Sequence, residues 1–367
     1  MDLTVKQSEL LREIQHVQSI VERKTTVPIL SNLLLETSGN TLQLTATDLD
    51  VSLRCSCRAE VRVAGAVTIS ARKLFDIVRL LPDQEIHFKA ASADWVNLTC
   101  GRSRFKVAGM SRENFPEVPV EEAGEVDLPG DALGYMISRC IFAITTEESR
   151  YTLNGAQMIV DPDGLTFVTT DGHRLVLIEH RTSLSVPEGG IRVLVPKKAL
   201  VELSKLAMGA EKVRFSHTAN HLFFRIGDRL LVSRVLSGQF PNYDRVIPRE
   251  NNIHLSVNTL ELADGLRRAA VMAEEQSRAV RLHLKEGTLE ISSASPDFGE
   301  AREVLAVRYS GEPLEIGFNA YYLLDFLTAV ESEEVSVRLR DRETQALLKP
   351  SALEGYDYNY VVMPIKI

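Results

Sequence analysis

Apolar residues recur along this chain at two spacings, and the two alternate. Leu10, Ile14, Val17 and Val21 lie three or four residues apart and predict a helix with one apolar face. Leu133, Ile137 and Cys140 predict a second such helix. Leu262, Leu266 and Ala269 predict a third, with Asn258 as its N-cap. Another set of helices follows later in each third of the chain. Phe75, Val78 and Leu81 form a stripe behind Ser70 as cap; Leu200, Leu203 and Leu206 follow Pro196 at the first helical position; Leu324, Leu327 and Val330 follow Asn319 as cap. Between the helices the period changes to two. TLQLTATDLDVSLRC alternates over most of its length, and LTFVTTDGHRLVLIEH does so around an Asp171-Gly172 hairpin turn. TLEISSASPDFGEAREVLAV is a weaker third copy, interrupted by Pro296 and Gly299.

These elements repeat three times with a period of roughly 124 residues. Turns at Gly39-Asn40, Asp163-Gly164 and Glu286-Gly287 precede Leu42, Leu165 and Leu289, and Phe115-Pro116, Phe240-Pro241 and Met363-Pro364 close the thirds. Two helices and about eight strands per third predict an α+β domain with helices packed on one side of antiparallel sheet. Phe115 to Asp131 and Val246 to Asn252 read as linkers, which gives domains at 1–124, 125–248 and 249–367.

The 367 residues are too many for one core and suit domains of this size. No apolar run approaches the roughly 20 residues that span a bilayer. No basic stretch followed by an apolar one marks a signal peptide, so cytoplasmic residence is expected. Cys55 and Cys57 alternate on one strand face, and with Cys100 and Cys140 they read as buried, reduced thiols; no spacing completes a metal set. The net charge of −8 argues against a domain that grips DNA tightly through its phosphates. It leaves room for a protein that surrounds DNA with few contacts.

Charge is unevenly spread over the second helices. Residues 70–81 and 196–209 each carry net +2, whereas 319–334 carry Asp325, Glu331, Glu333 and Glu334 without a base. The basic pair reads either as a surface facing a polyanion or as ordinary solvated helix faces. Alternation puts Arg102 and Arg104 on one sheet face, and Asp297, Glu300 and Glu303 form an acidic cluster in the last third. Such complementarity suits head-to-tail association of copies, although two unrelated patches would look the same. No nucleophile elbow, phosphate loop or zinc-protease motif is present. Asp171-Gly172-His173-Arg174 reads in two ways: a general base with an anion clamp, or a hairpin tip with polar residues. Residues 360–367 are nearly all apolar, as for a buried last strand or the wall of a groove, and Pro364 should end the strand.

Several segments together resemble the bacterial DNA sliding clamps, from one end of the chain to the other. They are Val27-Pro28-Ile29-Leu30, Thr47-Asp48-Leu49, Ala71-Arg72-Lys73, Gly101-Arg102-Ser103-Arg104-Phe105, Leu153-Asn154-Gly155, Thr170-Asp171-Gly172-His173-Arg174-Leu175, Ile316-Gly317-Phe318-Asn319 and Val362-Met363-Pro364. The resemblance implies three clamp domains per chain and a head-to-tail homodimeric ring around duplex DNA, with helices lining the hole. It implies no catalysis, cofactor or metal. The expected partners are the replicative polymerase's catalytic subunit, a clamp loader, and repair and replication proteins that carry a short clamp-binding peptide of the glutamine-leucine-x-leucine-phenylalanine kind.

By position, the resemblance implies that the peptide cleft is lined by Leu153, Thr170, Gly172, His173, Arg174, Leu175, Pro241, Arg245, Val246, Val361, Met363, Pro364 and Ile365, with Arg174 and Arg245 as stems and rim. Lys24, Arg72, Lys73, Lys197 and Lys198 would face DNA. Arg102, Arg104, Val107, Val271, Met272, Asp297, Glu300 and Glu303 would form the subunit interface. Thr152 stands where the family commonly has an aromatic residue, and the ending Ile-Lys-Ile replaces the usual Met-Arg-Leu. Both touch the cleft, which leaves room for a paralogue with altered partner preference, such as a drug-tolerant duplicate. An enzyme using His173 and Arg174 is the alternative of a different class.

Overall fold

The computed structural model describes residues 1–22, 26–92, 95–120 and 126–366. The first third holds β1 (Asp2–Lys6), α1 (Gln7–Val17), β2 (Asn32–Ser38), β3 (Thr41–Thr47), β4 (Val51–Val63), β5 (Ala66–Ser70), α2 (Ala71–Val78), β6 (Glu85–Ser92), β7 (Trp95–Cys100) and β8 (Ser103–Met110). The second holds β9 (Val126–Pro129), α3 (Gly130–Cys140), β10 (Gly155–Asp161), β11 (Gly164–Thr170), β12 (Arg174–Arg181), β13 (Ile191–Pro196), α4 (Lys197–Ala207), β14 (Lys212–His217), β15 (His221–Ile226) and β16 (Arg229–Arg234). The third holds β17 (Ile253–Asn258), α5 (Thr259–Ala270), β18 (Ala279–Lys285), β19 (Thr288–Ser295), β20 (Gly299–Ala306), β21 (Leu314–Asn319), α6 (Ala320–Ala329), β22 (Glu334–Leu339), β23 (Ala346–Pro350) and β24 (Tyr356–Val362). Helices and strands therefore follow one another in the same order in every third.

Two compact units result: Met1–Asp131 with Lys198–Val235, and Ala132–Lys197 with Leu236–Ile367. The reason is strand pairing that crosses from one third into the next. In the first unit β4 pairs antiparallel with β16, Leu53 opposite Leu231, inside a twelve-stranded sheet. In the second, β12 pairs antiparallel with β24, Leu175 opposite Val361, inside an eight-stranded sheet. A separate four-stranded sheet of the second unit runs β20-β19-β18-β21. The rule is uniform: the fourth strand of one third pairs with the eighth strand of the following third. β20, a fourth strand, pairs only with β19, and β8, an eighth strand, meets β5 only at Gly109 and Met110. Each leaves an open edge among the described residues.

Helix faces follow the apolar stripes with small shifts. Leu10, Ile14 and Val17 are buried on α1, but the helix stops at Val17 and Ile20, not Val21, fills the next core position. On α2 the buried residues are Ala71, Leu74 and Val78, so Phe75 lies only partly inside. On α6 they are Ala320, Leu323, Phe326 and Leu327, one residue ahead of the expected Leu324. Asn258 accepts from the N–H groups of Leu260 and Glu261, and Asn319 from that of Tyr321, as N-caps do. Ser70 precedes α2 but its side chain makes no capping bond. Pro196 is the last residue of β13, and α4 begins one residue later. All four thiols are free and buried. No helix among the described residues is long and apolar enough to cross a membrane.

Candidate partner-binding site

The turn between β11 and β12 is built by two side chains that fold back on their own backbone. Asp171 accepts through Oδ1 from the N–H groups of His173 and Arg174, at 2.9 and 3.1 Å. The Thr170 hydroxyl accepts from Gly172 N and donates to the Arg174 carbonyl at 2.6 Å. Gly172 takes φ +90°, a left-handed conformation that glycine adopts without a Cβ clash. The same device recurs in the first third. Asp48 Oδ1 accepts from Asp50 N and Val51 N, and Thr47 Oγ1 from Leu49 N, but there Leu49 holds the strained position at φ +83°.

Arg174 is the centre of this region and faces inward. Its side chain is 9% exposed; Nε donates to Asp171 Oδ2 at 2.9 Å, Nη1 to Asp325 Oδ2 at 2.6 Å and Nη2 to the Phe142 carbonyl at 2.8 Å. The guanidinium lies 4.4 Å from the Tyr322 ring centroid and 5.3 Å from that of Phe142. Burial opposes its charge, yet Tyr360, Asp325 and Asp171 outweigh burial and raise its pKa further. The expected stem-and-rim role therefore does not describe Arg174, which anchors the turn from beneath. Its position also accounts for Lys197, whose Nζ donates to the Ile144 carbonyl at 3.1 Å and whose pKa is lowered by burial and by the Arg174 cation.

An apolar floor lies beside the turn. Val168, Leu175, Leu177, Leu347 and Val361 form one cluster, and Phe240, Tyr243, Val246 and Ile247 pack against it partly exposed. The segment after β24 closes one side. Met363 N donates to the His173 carbonyl at 2.9 Å, Ile365 N to that of Gly317 at 2.8 Å, and β24 ends at Val362, before Pro364. Gln345 Nε2 holds the Val246 carbonyl at 3.0 Å. Leu153 is buried nearby in the chain that leads into β10; Pro241, Arg245 and Met363 are exposed, and Pro364 and Ile365 half-buried. The His173 ring is exposed and stacks on Tyr322 at 6.3 Å; no carboxylate orients it among the described residues. The second unit thus gathers most of the expected lining into one surface. Sequence reading passed over its supports, Asp325, Tyr322 and Phe142, and its floor residues Leu177, Leu347, Tyr243 and Ile247. Leu175, Val246 and Val361 of this floor are among the expected lining, and Phe240 is part of a recurring landmark; the other floor residues carry no sequence signal.

The other expected residues are more scattered. Lys24 lies outside the described residues. Arg72 and Lys73 are exposed on α2 and form no ion pair among the described residues. Lys198 does not stand free: its Nζ donates to the Ile20 carbonyl at 3.0 Å and pairs with the buried carboxylate of Asp48. The third second helix is not acidic as expected. Glu331, Glu333 and Glu334 follow its end at Ala329, and its one carboxylate, Asp325, belongs to Arg174. Arg104 is exposed on β8, with Val107 half-buried. Arg102 sits in the two-residue turn between β7 and β8, so strand alternation does not relate it to Arg104. Val271 is 73% exposed just after α5, with Met272 half-buried beside it. Asp297 and Glu300 are exposed, whereas Glu303 is bound to Arg268 at 2.8 Å, which lowers its pKa. Phe298 and Val304 are 64% and 58% exposed in and beside β20, and sequence reading missed both.

Three domain profiles of the DNA polymerase III beta subunit match the chain in order. The N-terminal domain covers residues 1–119, the central domain 127–242 and the C-terminal domain 244–366. The chain belongs to this family. It is 36% identical to the beta sliding clamp of Caulobacter vibrioides and 33% identical to that of Escherichia coli, over the whole of both chains in each case. Among solved structures it resembles the sliding clamp of Pseudomonas aeruginosa bound to griselimycin, with 34% identity and a TM-score of 0.94. It also resembles that of Bartonella birtlesii bound to the same compound, with 35% identity and a TM-score of 0.94; all chains are fully covered. Sliding clamps are non-catalytic, so the family membership decides against His173 as a general base.

Proposed function

We propose that this protein is the ring-shaped processivity factor of a replicative DNA polymerase, assembled from two copies head to tail around duplex DNA. The observation that carries the ring is the strand rule. Two junctions inside the chain pair a fourth strand with the next eighth strand, β4 with β16 and β12 with β24. β20 and β8 are the fourth and eighth strands left over, and pairing them between copies makes the missing junctions in the same way. A heterologous contact of this kind generates a closed ring when its rotation closes. Exposed Phe298, Val304 and Val271 on one side, and Phe105 with Arg104 on the other, supply the apolar and charged parts of that junction.

A closed ring stays on DNA by topology and needs few phosphate contacts, which suits a net charge of −8. Arg72 and Lys73 are our leading DNA-facing groups. The surface around the Asp171 turn is the cleft that takes a partner's clamp-binding peptide: an apolar floor for anchor side chains, with polar groups at its edge. Polymerase, clamp loader and repair proteins share it. The site of action is the cytoplasm, where bacterial DNA is replicated.

The test is retention on DNA. Loaded onto a nicked circular plasmid by a clamp loader, the protein should co-elute with DNA and be released when the plasmid is linearised. Phe105→Asp should sediment as a monomer and fail to be retained. Wild-type protein that stays on linear DNA, or sediments as a monomer at micromolar concentration, would overturn the reading.

A further inference from the structure

The apolar floor of the cleft continues, within one cross-strand row, into a cationic shelf. On the eight-stranded sheet Leu175 stands opposite Val361, Val361 opposite Leu347, Leu347 opposite Arg338, and Arg338 opposite His254. Residues directly opposite in an antiparallel sheet have Cβ atoms about 5 Å apart. Arg338 therefore borders Leu347, and Leu347 is part of the floor.

The charge of Arg338 is uncommitted. Its side chain is half-buried, its Nε is shielded from solvent without a partner, and its guanidinium makes no ion pair or hydrogen bond among the described residues. Three nearby carboxylates are held by other bases, whereas Glu179 on β12, opposite Asp357, forms no ion pair among the described residues. Asp357 pairs with Lys349 at 2.9 Å, Glu250 with Arg340 at 2.8 Å, and Glu334 with Arg308. An open hollow of about 410 Å³ lies alongside, lined among others by Ser336, Arg338, Lys349 and Ser351. A half-desolvated guanidinium with an unused N–H fork is suited to a carboxylate, which it can bind through two parallel bonds.

We propose that Arg338 is a specificity-determining residue of the cleft: it receives an aspartate or glutamate side chain that flanks the apolar anchors of a partner's peptide. This rests on the cleft reading above and deepens it. The apolar floor supplies affinity for any clamp-binding peptide, and Arg338 discriminates among them by charge.

The test uses three fluorescein-labelled, C-terminally amidated peptides built on Gln-Leu-Ser-Leu-Phe. One carries two glutamates before the core, one carries two after it, and one carries glutamines at both ends. Polarisation titrations are run on the full chain and on Arg338→Met, which keeps an apolar stem over Leu347. One glutamate peptide should bind the native chain about two- to fivefold tighter than the glutamine peptide, the range of a partly exposed ion pair. The difference should vanish in Arg338→Met, with glutamine-peptide affinity unchanged, and return in part in Arg338→Lys. Equal binding of all three peptides by the native chain, or a preference that survives Arg338→Met, would overturn the assignment while leaving the cleft intact. Binding of none of them by the folded chain would overturn the cleft reading and this inference together.

Discussion

Arg174 and Asp325 stand 151 residues apart in the chain, and their side chains meet at 2.6 Å. That contact ties the β11–β12 turn to α6, and Asp171 and the Phe142 carbonyl complete the cage around the guanidinium. Arg174→Ala would leave Asp171 without its cation in a mostly buried setting. Breaking a buried pair from one side costs about 3 kcal/mol or more. The expected outcome is a clear fall in urea midpoint together with loss of peptide binding, because the turn frames the proposed cleft. Arg174→Lys should recover little, since one ammonium cannot reach three acceptors in the guanidinium's plane.

The two versions of the Thr-Asp turn invite exchange. A Cβ on Gly172 would lie 2.7 Å from Nη1 of Arg150, a guanidinium that donates to the Asp171 carbonyl, and φ is +90° there. Gly172→Ala should destabilise the second unit by about 1–2 kcal/mol, the cost of a left-handed residue. Leu49→Gly should do the opposite. Leu49 is largely exposed at φ +83°, so relief of strain outweighs glycine's entropy cost and stability rises by up to about 1 kcal/mol. Denaturant unfolding of both variants measures the signs.

A pH dependence follows from Glu13. Its buried carboxylate receives two bonds from Arg229, at 2.9 and 2.8 Å, which link α1 to the start of β16. Burial pushes the carboxyl up, but Arg229 and Arg12 outweigh burial and hold it below its ordinary value. The folded state then binds this proton more weakly than the unfolded chain. The stabilisation is complete above the unfolded glutamate value, about 4.3, and is lost as pH falls through the depressed value. Melting curves from pH 7 downwards should show it, and Glu13→Gln should lower the melting temperature at pH 7 and flatten the acid limb.

Cutting the chain after Tyr360 would remove Val361 and Val362, which are fully buried, so loss of binding there would mix unfolding with a missing wall. Met363 is exposed beside the His173 carbonyl and is the cleaner probe. Met363→Glu should keep the melting temperature within a degree or two and weaken a clamp-binding pentapeptide by about 2 kcal/mol, roughly thirtyfold, as loss of a central apolar anchor does.

Local chemistry was legible in the sequence; partnerships at long range were not. Asn258 and Asn319 announce helix starts because a short amide before an apolar stripe has one natural use. Asp171-Gly172 announces a hairpin, and Cys55 and Cys57 a buried strand face. Where two apolar residues are adjacent, as in Leu74-Phe75 and Leu323-Leu324, the helical period does not choose between them. Tertiary packing selected the first of each pair. Strand alternation groups Arg102 with Arg104 because a two-residue turn preserves an alternating look. Arg174 read as surface because nothing near it in sequence reveals Asp325, Tyr322 or the buried Tyr360. The proposed cleft lining rests on resemblance to a family, while Leu347 and Arg338, which carry no motif, stand beside it through packing and strand register.

The pairing of β4 with β16 and of β12 with β24 has a consequence for how the polypeptide is divided. If β20 and β8 of neighbouring copies join by the same rule, every boundary around the ring is alike, and the peptide bond that bridges some of them is incidental to the architecture. A chain circularly permuted to start at Val126 and finish with the first third should then build the same circle. The seam that a loader can part would move to the junction now held by β4 and β16.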